Sequence, residues 1–134
     1  MFDLIKHNLL KSVLLADGIV SVAAGAAFLG FSGLVAALIG PAFTAGAVLG
    51  LGAFLFVWGL FHLALARRPS IAGVRIAIVG DALWVFGSVA VLVSDWDALT
   101  SLGAAFIALL AMAVADIMLL KMKGLSDQRR LAAA

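Results

Sequence analysis

Four stretches of this chain are close to 20 residues long and almost wholly apolar: Ser12 to Phe31, Ala45 to Ala66, Ile76 to Val93 and Leu99 to Leu120. A helix rises about 1.5 Å per residue, so about 20 apolar residues cross the roughly 30 Å hydrocarbon core of a bilayer. Each stretch is bounded at one end by a basic residue, respectively Lys11, Arg67, Arg75 and Lys121. The expected fold is therefore all-α: a polytopic four-transmembrane-helix bundle, one domain over residues 1–134, with spans at about 12–31, 45–66, 76–93 and 99–120. Composition agrees, since 66% of residues are hydrophobic and only 12% are charged, where a soluble domain carries about a quarter.

The cations orient the bundle. Lys6 and Lys11 precede the first span, Arg67, Arg68 and Arg75 lie between the second and third, and Lys121, Lys123, Arg129 and Arg130 follow the fourth. The connections Ser32 to Thr44 and Ser94 to Ala98 hold none. The positive-inside rule then gives two tandem helical hairpins, N-in and C-in, with both termini cytoplasmic. Two lysines before an apolar run also describe a secretory signal, but Asp17 in the middle of that run would weaken one, so the first helix is read as part of the mature protein.

The connections have distinct characters. Gly33 to Pro41 is apolar but too short to cross, and is expected as a short helix in the outer interface. Arg67-Arg68-Pro69-Ser70 reads as an inner turn, because proline disfavours helical geometry at the residue before it. Trp96 between Asp95 and Asp97 fits an aromatic belt at the other side. At the amino end Asp3, His7 and Lys11 recur every fourth residue, as in an interfacial helix entering the membrane.

A faint internal repeat connects the halves. Lys11 and Asp17 are six residues apart, as are Arg75 and Asp81; His62 stands five before Arg67, and Asp116 five before Lys121. At the helical rise these offsets place Asp17 and Asp81 about 9 Å, and His62 and Asp116 about 7.5 Å, from their basic markers. One ionisable side chain per span is thus expected in a common polar layer of Asp17, His62, Asp81 and Asp116. An ionised group at membrane depth costs roughly 2.5 to 3.5 kcal/mol on insertion scales, so these groups should face inward and find partners. Gly46 and Gly50 form a GxxxG in the second span, read as a helix-packing face within the chain, with dimerisation as the other option.

Three readings of the polar layer are open. It is a hydrogen-bonded layer that fixes helix register, a proton or cation site with coupled titration, or a metal site of carboxylate and imidazole ligands. The first is preferred and no metal is assigned. No cofactor is expected: cysteine is absent, a haem would need a second axial ligand besides His62, and the glycine runs lie within a span instead of between a strand and a helix. The nine Lys and Arg are scattered over short segments without interleaved aromatics, so nucleic acid is not an expected partner.

Ala16-Asp17, Arg67-Arg68-Pro69 and Asp81-Ala-Leu-Trp84-Val85 together resemble small uncharacterised bacterial four-helix integral membrane proteins. That resemblance covers nearly the whole chain and implies a fold and an inner-membrane setting, with no activity. The chain also resembles small multidrug resistance transporters in having four short helices and an acid in the first. It departs from them in using aspartate where that family uses glutamate, in its greater length and in its acids in the third and fourth helices. The expected function is that of a small non-enzymatic membrane protein, a structural, accessory or binding component whose partners are the bilayer and a homo-oligomer or larger membrane complex. The alternative is a proton- or cation-coupled small-molecule transporter using the Asp/His layer.

Overall fold

The computed structural model describes residues 2–133, with side chains from residue 8 onward. The side chains of Asp3, Lys6 and His7 lie outside the described residues. Five helices follow in order: α1 (Phe2–Gly30), α2 (Ser32–Ile39), α3 (Ala45–Arg67), α4 (Ile71–Ser94) and α5 (Ser101–Ala133), with a 3-10 turn at Trp96–Ala98 before α5. Helices α1, α3, α4 and α5 are long and apolar enough to cross a membrane. Four crossings return the chain to the end where it began, so the termini and the α3–α4 turn share one end of the bundle. The short α2, expected between Gly33 and Pro41, closes the other.

Local chemistry sets the boundaries. Arg68, before Pro69, leaves the helix at φ −137° and ψ 80°, as the proline ring demands. Ser70 then caps α4, its Oγ accepting from the Gly73 amide at 3.1 Å, and Thr44 caps α3 by accepting from the Ala47 amide at 3.1 Å. Thr100 caps α5 through the Gly103 amide (2.9 Å) and also donates its hydroxyl to the Leu38 carbonyl, while its own amide donates to Ile39 O at 2.8 Å. These bonds tie the end of α2 to the start of α5. The tie needs Gly40, whose φ of +121° is left-handed and whose missing Cβ would stand 2.7 Å from Ala98 O.

Packing is uneven. α1 lies against α3 along most of its length, α4 lies against α5, α1 and α5 join the pairs, and α3 and α4 touch only sparsely. The α1–α3 seam is built from Gly18 and Gly25 facing Gly52 and Gly59, seven residues apart on each helix. A Cβ on Gly25 would lie 2.5 Å from Phe56 N, and one on Gly59 would lie 2.6 Å from Val22 N. Such backbone approach is how apolar helices gain contact where lipid supplies no hydrophobic drive.

This seam excludes Gly46 and Gly50 from the packing within the chain, the first of their two expected roles. Both are exposed, and a Cβ on Gly50 would meet nothing within 4 Å. The inner face of α3 is the heptad-like series Val48, Gly52, Leu55, Gly59, His62. Gly50 lies about 200° around the helix from Gly52 at about 100° per residue, so the GxxxG faces outward.

α5 continues well beyond the expected end of the fourth span at Leu120. Its extension is held from inside: Leu125 joins Leu10, Leu14, Leu65, Ala66, Val74 and Ala77 in one core, and Gly124 lets the helix close on Leu10. A second core, on Phe28, Ala36, Val48 and Leu55, fills the other end.

Candidate functional site: a buried lysine latch

Between the two apolar cores the four long helices each turn one ionisable side chain inward. Asp17 comes from α1, His62 from α3, Asp81 from α4 and Lys121 from α5, with relative exposures of 7%, 0%, 3% and 0%. Lys121 Nζ is the hub. It donates to Asp17 Oδ2, to Asp81 Oδ2 at 2.6 Å and to His62 Nε2 at 2.8 Å. An ammonium has three N–H donors, and these three acceptors use all of them.

The acceptors are themselves fixed. Asp17 Oδ1 accepts from Ser21 Oγ at 3.2 Å, one turn further along α1. His62 Nδ1 lies 2.9 Å from the Trp58 carbonyl; a carbonyl only accepts, so Nδ1 carries the proton and Nε2 presents its lone pair to Lys121. The imidazole is also wedged edge-on between Trp58 and Phe61, with ring centroids 5.1 Å and 5.5 Å away. Trp58 in turn lies over Gly80, beside Asp81, where a Cβ would collide with its ring. That contact brings α3 and α4 together at the level of the cluster.

Of the four residues expected in the polar layer, the structure brings Asp17, His62 and Asp81 together and leaves Asp116 out. Asp116 is exposed on the outer face of α5. The physical reason is angular: Asp116 and Lys121 are five residues apart, about 140° around the helix, so both cannot face inward. The α5 face that points inward carries Ala104, Ala111, Lys121, Gly124 and Leu125. The sequence correspondence between Asp17 and Asp81 ends on one shared ammonium, whereas His62 and Asp116 occupy unlike positions.

Its position after the fourth apolar stretch makes Lys121 a marker of the membrane boundary, yet a directional signal for its true place is also present in the sequence. Cα–Cβ bonds tilt toward a helix N-terminus. α5 runs out of the apolar zone at its C-terminal end, so the tilt aims Lys121 back into the bundle and its four-carbon stem carries the ammonium to the depth of Asp17 and Asp81.

Asp17, His62 and Asp81 each offer a ligand atom within 4.8 Å of the others, a spacing that could hold a metal ion. Lys121 Nζ hydrogen-bonds all three of those residues. His62 Nε2 also lies 3.2 Å from Asp17 Oδ2, close enough to donate to it if it carried a proton. One turn beyond Asp81, Trp84 borders an almost wholly apolar cavity of about 280 Å³ between the two helix pairs, walled also by Phe28, Leu51, Phe106 and Leu110. The buried indole Nε1 of Trp84 has no hydrogen-bond partner among the described residues.

No protein family, curated protein or solved structure matches this chain.

Proposed function

We propose that this chain is a small non-enzymatic multi-pass protein of a bacterial inner membrane, a structural, accessory or binding component whose four spans are latched by the Lys121 cluster. One observation carries the reading: each span gives one ionisable side chain, and these groups satisfy one another away from solvent. α3 and α4 otherwise touch little, so the cluster and Trp58 add to the α1–α5 contact and the shared apolar core in holding the two hairpins in register. The eight Lys and Arg other than Lys121 belong to the two termini and the α3–α4 segment, which supports an N-in, C-in orientation. The lipid-facing surfaces of α4 and α5 leave room for a homo-oligomer or a larger complex.

A second reading is favoured by charge. Two carboxylates against one ammonium leave −2 + 1 = −1 with His62 neutral. One proton, or one monovalent cation, would balance the cluster, and since His62 Nε2 already accepts from Lys121, a carboxylate oxygen of Asp17 or Asp81 is where it would bind. With the apolar cavity one turn away, this describes a proton- or cation-coupled carrier of a lipophilic small molecule.

Reconstitution in liposomes with an internal pH dye separates the two. The latch reading expects His62→Gln and Asp81→Asn to lower the unfolding midpoint while proton leak stays at the level of empty vesicles. A proton flux in the wild-type vesicles that Asp81→Asn removes without unfolding the bundle would replace the latch with the carrier.

A further inference from the structure

A recess of about 510 Å³ lies where α5 leaves the apolar zone, between α4 and the last turns of α5. It is lined by the apolar side chains of Ile78, Met122 and Leu125 and by the polar ones of Ser126, Arg129 and Arg130. Met122, Ser126, Arg129 and Arg130 follow at i, i+4, i+7 and i+8, so they form one helix face. No acid lines the recess, and neither arginine has an ion pair among the described residues.

Height decides what such a recess meets. Starting from Ser101, about 20 residues of helix use up the roughly 30 Å core near Lys121. Ser126 to Arg130 then lie about 8 to 14 Å further out, against a headgroup layer about 5 to 7 Å deep on each side. The N-terminal tilt of helix side chains brings both guanidinium groups back toward that layer. From membrane to water the recess is therefore apolar, then hydroxyl, then doubly cationic, the same order as acyl chain, glycerol and phosphate in a phospholipid.

We propose that this recess binds the phosphate of an anionic glycerophospholipid through Arg129 and Arg130, with its acyl chain on Ile78, Met122 and Leu125. Guanidinium forks match phosphate oxygens in geometry as well as charge, and two cations with no facing acid favour an anionic headgroup over a zwitterionic one. The inference does not depend on the role of the Lys121 cluster.

The test uses the full chain in a non-ionic detergent, titrated with phosphatidylglycerol or phosphatidylcholine and read by native mass spectrometry. Phosphatidylglycerol should be retained in preference, and Arg129→Gln with Arg130→Gln should weaken it about 30-fold, the worth of two arginines at an anionic surface. Each single substitution should cost about fivefold on the same basis, which keeps the test valid if the double variant does not fold by circular dichroism. Lys123→Gln, a charge outside the recess, should leave binding unchanged. The proposal is overturned by an equal loss in Lys123→Gln, by no preference between the two lipids, or by full competition from excess inorganic phosphate, which would mark a free-anion site.

Discussion

Replacing Lys121 by methionine keeps the volume and flexibility of the side chain and removes only the ammonium. Three hydrogen bonds end at that atom, and their loss leaves two carboxylates and an imidazole lone pair facing one another in a buried layer. Breaking a buried ion pair by deleting one partner costs about 3 to 5 kcal/mol, most of it the uncompensated charge left behind. Here one deletion strands two carboxylates, so the upper half of that range is expected, more than a hundredfold in the folding equilibrium at about 1.4 kcal/mol per tenfold. The paired measurement is Lys121→Met combined with Asp17→Asn and Asp81→Asn, which removes every formal charge. Replacing a whole buried charge set by neutral groups is often neutral or stabilising, so the triple variant should recover most of the loss. The assay is denaturant unfolding in detergent, followed by far-UV circular dichroism. If Lys121→Met unfolds within about 1 kcal/mol of wild type, the size of a surface pair, the cluster is not the ionic unit described above.

Other substitutions test the rest of the framework by the same assay. Asp116→Asn should change stability by less than about 0.5 kcal/mol, as for an exposed side chain without an ion pair among the described residues, and a loss as large as that of Asp81→Asn would return Asp116 to the polar layer. Gly59→Ala forces a methyl against the α1 backbone and should cost about 1 to 3 kcal/mol, whereas Gly50→Ala, with open space around it, should gain up to about 1 kcal/mol in helix propensity; equal effects would refute the assigned seam. Trp84→Phe removes a buried N–H that has no acceptor among the described residues, so the usual penalty of about 1 to 3 kcal/mol for an unmet polar group is relieved; the expected change is neutral or slightly stabilising, and a marked destabilisation would mean that the indole has a partner.

The number and type of long helices were legible in the sequence because bilayer thickness imposes a length that composition meets only four times. The α3–α4 turn was legible because Pro69 acts locally on Arg68. Asp17, His62 and Asp81 were legible because charge inside an apolar window has few alternatives to facing inward. What failed was angular. Gly46 and Gly50 satisfy the GxxxG pattern, yet the motif does not say which face of α3 meets α1, and that was settled by Gly18 and Gly25 on the partner helix. Asp116 was placed by its distance from Lys121 along the axis, while its angle around α5 set it outside. The extension of α5 to Ala133 has no signal in its own hydropathy, because it is held through Leu125 by Leu10 and Leu14, far away in sequence.

The exchange of Asp116 for Lys121 changes the electrostatics of the layer more than its membership. Three aspartates with a neutral histidine would total −3, and such a layer could persist in an apolar bundle only by holding protons or binding a cation from outside. With Lys121 at the hub the total is −1, and the cation is covalently part of the fold. Most of what an external ion would do for the expected layer is therefore done by a side chain that cannot dissociate. A latch and a carrier now differ by one residual charge. For the latch, that charge is a tolerated cost of holding four helices with one ammonium. For a carrier it would be the coupling site itself, and the carboxylates of Asp17 and Asp81, which hold that charge around Lys121, are where the two readings part.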